Sequence, residues 1–188
     1  MARLKSPEKR SAILHAAVYE IAESGLSAPT AKIARRAGIA EGSLFTYFAD
    51  KEELLNELYL DLKLEVYARL NSQFPRRAGL ERRAWHIWST YLDWAIEFPE
   101  KRKVSMLLNL SNVITPQTRD RTLGERSAID VTLSELEKRV ALRGLPAGFA
   151  AAMITAMQEA TMDFISRQPR HRKQLIERAF RVFWRTVR

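Results

Sequence analysis

The chain has 188 residues, 46% of them apolar, a formal net charge of +9 and a sequence pI near 10.1. That length suits one large domain or two small ones sharing a core, and the apolar fraction excludes wholesale disorder. The basic excess favours an anionic partner, nucleic acid first and a membrane surface second, and the absence of cysteine excludes disulfides, thiol chemistry and Cys-ligated zinc, as suits a cytoplasmic protein.

The N-terminal segment MARLKSPEKR is basic and lacks the apolar core of a secretory signal. Ser6-Pro7-Glu8 reads as a helix N-cap followed by proline in the first turn. Ile13, Leu14, Ala17, Val18, Ile21 and Ala22 trace one helical face that Gly25 ends. Two short helices follow, over about residues 30–36 and 41–48, on either side of Gly38. Asp50-Lys51-Glu52-Glu53 has a capping-box pattern and opens a long helix to about Asn71. Further helices are predicted over about 80–98, 101–111, 116–143, 147–167 and 171–187. They are separated by Pro99, by Thr115-Pro116 as a second cap-and-proline start, by Gly144-Leu145-Pro146 and by Pro169. No period-two alternation and no Asn-Gly or Asp-Gly hairpin signal interrupts them. The longest uncharged runs, 104–118 and 144–158, are too short and too polar to span a bilayer.

The expected fold is therefore all-α, with about nine helices. An N-terminal three-helix unit over 1–49 continues without a linker into a helical body over 50–188. Within the first unit, IARRAGIAEGSLF has the composition of a helix-turn-helix. Gly38 supplies the left-handed turn, Ala34 permits close approach, and Ile33, Ile39 and Leu44 bury the joint. An ordinary corner between two helices has the same composition.

The flanking residues extend the pattern. IARRAGIAEGSLFTYFADKEEL at 33–54, following a helix that ends in glycine, resembles the DNA-binding motif of the TetR family of bacterial transcriptional regulators. The resemblance covers about residues 9–60; beyond it only helix count and chain length agree. It implies a homodimer that binds a palindromic double-stranded DNA operator and responds to a small-molecule effector, with no cofactor, no metal and no membrane partner. By position it implies that Gly42 and Ser43 lie near bases and phosphates at the start of the recognition helix. Thr46 would face the major groove, Tyr47 would bond the DNA backbone, and Lys51 would pair with a phosphate. Thr30 would meet the other side of the groove, and Phe48 would plug the core. Phe45 stands where the family often has Tyr, so a hydroxyl contact is lost. Pro29 stands where it often has Thr, leaving Ser27 and Thr30 as candidate caps.

The recognition helix carries no Arg, Asn or Gln, the residues of the strongest bidentate base contacts. Ser43 and Thr46 can make single hydrogen bonds or touch a thymine methyl, and Glu41 can accept from a cytosine amine. The expectation is modest direct readout, with DNA shape and half-site spacing carrying much of the specificity. Arg3, Lys5, Lys9 and Arg10 form either a basic arm on the DNA or a solvated tail.

In the body, the last helix has apolar residues over half its circumference, including Ile176, Phe180, Phe183 and Val187, with Arg178, Arg181, Arg185 and Arg188 opposite. The preceding helix spaces Ala152, Ala156 and Ala160 by four, which allows close helix approach. The pair reads as half of an intersubunit four-helix bundle, which suits a twofold operator. The rival for the last helix is a membrane-surface amphipath. The aromatic helix with Trp85, Trp88 and Tyr91 reads as plain core. The resemblance implies instead that these residues, with Met106, Met153 and Met157, line an apolar cavity anchored by His86, Asn109 and Gln158.

No enzyme is expected. The three histidines are scattered, and no metal-ligand spacing, nucleophile elbow, P-loop or dinucleotide fingerprint is present. The remaining alternative is a helical binding or scaffold protein whose helix-turn-helix corner is structural.

Overall fold

The computed structural model describes residues 6–188; Arg3 and Lys5 of the expected arm lie outside the described residues. Those residues form ten α-helices and no strand: α1 (Pro7–Ser24), α2 (Thr30–Arg36), α3 (Glu41–Tyr47), α4 (Lys51–Asn71), α5 (Leu80–Glu97), α6 (Pro99–Asn109), α7 (Pro116–Asp120), α8 (Ser127–Glu137), α9 (Phe149–Arg167) and α10 (Arg172–Val187).

The caps form as the sequence predicts. Ser6 Oγ accepts from Lys9 N at 3.3 Å and donates to Glu8 at 2.6 Å, which lowers the pKa of that carboxyl. Asp50 accepts from Glu53 N at 2.7 Å, and Glu53 reaches back to Ala49 N. Thr115 accepts from Thr118 N at 3.1 Å. The helix it opens does not run to Arg143, however. It ends at Asp120 and a new helix starts at Ser127. Two residues account for the break. Thr122, buried, turns its hydroxyl back onto the Arg119 carbonyl at 2.8 Å, and Gly124 withdraws helix propensity just beyond. This accounts for the tenth helix.

The chain divides into two compact units. The first runs to Glu65 and resumes over Phe98–Leu123; the second comprises Val66–Glu97 and Gly124–Arg188. Helix α4 contributes residues to both.

In the first unit α1 packs on α2 and α6, and α2 on α3. One core joins Ile13, Ala17 and Ile21 of α1, Ile33 and Ala34 of α2, Leu44 of α3, Phe48, Leu54 and Leu58 of α4, and Val104 and Leu108 of α6. Gly38 adopts φ +70° at the corner between α2 and α3, as the turn requires. Buried Asn56 holds the segment before α7, donating to Val113 O and accepting from Thr115 N at 2.9 and 3.0 Å. Ion pairs tie the surface: Arg36 to Glu20 at 2.6 Å and Glu23 at 3.0 Å, and both Arg10 and Arg121 to Glu57.

In the second unit α5 packs on α8, α9 and α10. Its centre is Trp88, fully buried, with Phe183 stacked on it at a centroid distance of 6.1 Å. The indole Nε1 donates to Ile176 O at 3.1 Å, and Gln158 Nε2 donates to Trp88 O at 3.3 Å.

Helix α3 has seven residues, too few to persist alone in water, so its one buried side chain decides its fate. Leu44→Ala should cost about 2–5 kcal/mol, read as a lowered midpoint in urea unfolding followed by circular dichroism. An unchanged midpoint would mean that α3 is held by something other than this contact.

Candidate nucleic-acid interface

Helix α3 buries Leu44 completely and leaves Glu41, Gly42, Ser43, Phe45 and Thr46 exposed. The face follows from the pattern: Leu44 points into the first unit's core, Phe48 closes the helix against the same core, and everything between them on the other side meets solvent. Phe45 remains 43% exposed, an aromatic edge beside the polar residues.

Of the expected DNA-contacting residues, Glu41, Gly42, Ser43, Phe45, Thr46 and Tyr47 lie on α3, Thr30 begins α2 and Lys51 begins α4. Neither candidate caps α2. Pro29 occupies the cap position and Ser27 Oγ bonds Ser24 O at 3.4 Å. Thr30 Oγ1, at the first residue of α2, donates to Glu41 Oε1 at 2.9 Å, at the first residue of α3. Tyr47 is half-buried and its hydroxyl accepts from Ser6 N at 3.3 Å, leaving its own hydrogen free to donate. Lys51 opens α4 with partial burial pushing its ammonium pKa down. Lys9 is exposed on α1, whereas Arg10 is engaged by Glu57 and lies over the Phe48 ring at 5.7 Å. Arg10 therefore secures the core and is not part of a free arm. Gly42 has no positive φ, and a Cβ placed there meets no atom within 4 Å. The fold itself does not require glycine at that position.

Met106, exposed, and Asn109 lie on α6 in the first unit; Trp85, His86, Trp88, Tyr91, Met153, Met157 and Gln158 lie in the second. Several polar atoms are already engaged inside the chain. His86 Nε2 donates to Leu70 O at 2.8 Å, Tyr91 donates to Glu159 at 2.9 Å, and Trp88 and Gln158 bond as above. Trp85 is half-buried and meets Phe180 edge-to-face at 5.0 Å. Together they floor an open cleft of about 480 Å³ rimmed by Glu81, Arg82, Glu177 and Arg181.

The residues expected at a twofold interface divide. Ala152, Ala156 and Ala160 are exposed on α9, but Ile176, Phe180, Phe183 and Val187 are buried within the protomer, Phe183 and Val187 completely. Trp85 and Trp88 of α5 cover Phe180 and Phe183. The open apolar face of α9 and α10 is a groove of about 250 Å³ lined by Met157, Ala160, Thr161, Phe164, Leu175, Ala179 and Val182. Phe164 is 53% and Val182 59% exposed. The breadth of the apolar arc signals two apolar faces, Leu175 and Val182 lying apart from Ile176 and Phe183 on the helical wheel.

Among the described residues no group of acidic, histidine or cysteine side chains could hold a metal, and no helix is long and apolar enough to cross a membrane.

Residues 13–58 match the sequence model of the N-terminal domain of bacterial regulatory proteins of the tetR family. A stretch of 67 residues is 34% identical to the fatty acid metabolism regulator protein of Bacillus subtilis (strain 168); it is 35% of this chain and spans about a third of that regulator (34%). Over nearly the whole fold the chain resembles a protein of Shewanella sp. PV-4 assigned to the tetR family transcription regulators, at 26% identity and TM-score 0.72, covering 94% of this chain and 96% of that one. It also shares its fold with the transcriptional regulator FadR from Bacillus subtilis in complex with stearoyl-CoA, at 20% identity and TM-score 0.66, covering 90% of this chain and 97% of that one.

Because nothing in the protein occupies the space beside Gly42, folding and DNA approach can be separated there. Gly42→Ala should leave the thermal midpoint unchanged or higher, since alanine is the better helix former. If DNA approaches the backbone there, as the sequence reading expects, the added methyl should weaken duplex binding about tenfold, equivalent to ~1.4 kcal/mol. Undiminished binding in a fluorescence-anisotropy titration would remove Gly42 from the interface.

Proposed function

We propose that this chain, whose residues 13–58 match the tetR-family model, is a TetR-type sequence-specific transcriptional repressor, released from its operator by a small, largely apolar ligand. The observation that carries the reading is α3 itself: a seven-residue helix anchored by one leucine, with five consecutive or near-consecutive residues left to solvent and no internal role for its glycine. The roles proposed are those of an N-terminal reading unit, residues 1–49, and a ligand-binding and dimerising remainder, residues 50–188. The protein works in the cytoplasm, where its operator is, and catalyses no reaction.

The second unit supports a ligand-binding role through its concentration of aromatic residues around α5 and the cleft floored by Trp85 and Phe180. A fatty acyl thioester is the first effector class to try, since a regulator of the same fold was solved with stearoyl-CoA. Effector binding would favour a conformation in which the paired recognition helices no longer match successive major grooves. Helix α4, with residues in both units, is the segment proposed to carry that change. Linkage requires the operator to weaken effector binding by the same factor as the effector weakens operator binding.

Selection of bound sequences from random duplex DNA tests the function. An inverted repeat with half-sites about one helical turn apart is expected. Recovery of no common motif would favour the scaffold reading.

Dimerisation is proposed through the open groove of α9 and α10. Val182→Glu, at an exposed position, should leave circular dichroism unchanged and give the monomer mass in light scattering, with operator affinity lost accordingly. A dimer that survives the added charge would place the twofold axis elsewhere.

A further inference from the structure

We infer that Glu41 selects a cytosine at one position of each operator half-site, and that Thr30 is its positioning residue. The inference rests on the DNA-reading role proposed for α3 and names what that helix reads.

Glu41 is the only charged side chain on α3. It is exposed, and among the described residues no cation pairs with it. A carboxylate on a face that approaches a polyanion is repelled by every phosphate near it and gives up its hydration in the groove. It is tolerable there only where a hydrogen-bond donor on the DNA meets it. The structure also fixes where the carboxylate stands. Thr30 Oγ1 donates to Glu41 Oε1 at 2.9 Å, joining the first residue of α2 to the first residue of α3.

That bond uses the only hydroxyl hydrogen Thr30 has. What the side chains of the seam still offer is acceptors alone: the second carboxylate oxygen of Glu41 and the lone pairs of Thr30 Oγ1. In the major groove, guanine presents two acceptors and thymine one, so both would face lone pairs with lone pairs. Adenine sets its amine beside the N7 acceptor, whereas cytosine presents its N4 amine with no acceptor on the same edge. An acceptor-only seam therefore ranks cytosine first, adenine second, and rejects guanine and thymine. Selection works chiefly by exclusion, since the wrong base leaves a desolvated carboxylate unpaired. This supplies discrimination that a helix lacking Arg, Asn and Gln cannot obtain from bidentate contacts.

The test is selection from one random duplex library by the wild-type protein and by Glu41→Ala, Glu41→Gln and Thr30→Val, with thermal unfolding to confirm that each variant is folded. The wild type should enrich cytosine at one position per half-site by about 10- to 100-fold over guanine or thymine. Glu41→Ala should level that position and leave the others intact. Glu41→Gln should turn the preference toward adenine, whose N6 and N7 a carboxamide can engage together. Thr30→Val should keep the cytosine preference but broaden it. If the wild type selects an inverted repeat and Glu41→Ala selects the same repeat with the same weights, the inference is overturned while the DNA-reading role stands; the Thr30–Glu41 bond is then only a tie between helices. If the wild type enriches nothing, both fall together.

Discussion

The arrangement depends on the burial of Leu44 and Phe48 in the core of the first unit. A seven-residue helix has no stability of its own in water, because nucleation costs more than so few turns return. With Leu44 fully buried and Phe48 nearly so, α3 is held at its middle and at its end, and its remaining residues have no core to enter. The exposed row of Glu41, Gly42, Ser43, Phe45 and Thr46 is a consequence of that anchoring. Burial of two side chains of this size contributes about 1.5–3 kcal/mol each, enough to hold one short element and little more. The socket is braced in turn from several directions: Arg36 by Glu20 and Glu23, Glu57 by Arg10 and Arg121, and the chain before α7 by Asn56.

The second unit follows a different logic. Its large aromatics serve first as structure: Trp88 is sealed between Phe180 and Phe183, and its indole and carbonyl groups are both bonded within the unit. Helix α10 consequently has three faces. Ile176, Phe180, Phe183 and Val187 enter the core, Val182 and Ala179 line an open apolar groove with α9, and the arginines meet solvent. Phe164 and Val182 stay uncovered on that groove, and the proposed dimer would cover them with a second copy.

Much of this was legible in the chain. Ser6-Pro7, Asp50 with Glu53, and Thr115-Pro116 each mark a helix start because a side-chain oxygen at that place satisfies a main-chain donor. Gly38 marks the corner because only glycine takes φ +70° without strain. One departure has an equally local cause. Gly124 and Thr122 lie inside an otherwise periodic stretch, so the periodicity predicts one long helix where α7 and α8 stand. For α10, periodicity revealed which residues avoid water but not which neighbour covers them; that depends on where Trp88 and Trp85 lie, information held in another segment. The Thr30–Glu41 bond was hidden for a related reason. Each residue was picked out alone, and only the turn at Gly38 shows that the two helices begin side by side.

The most direct check on a core-anchored α3 as a reading head is a hydroxyl-radical footprint of the intact protein on a selected duplex. Two patches of protected sugars should appear on one face of the DNA, their centres about 34 Å apart, and both should vanish when the Leu44 socket is emptied by Leu44→Ala. Uniform protection along the duplex, or two patches that persist without Leu44, would show that the duplex is held by some other part of the molecule.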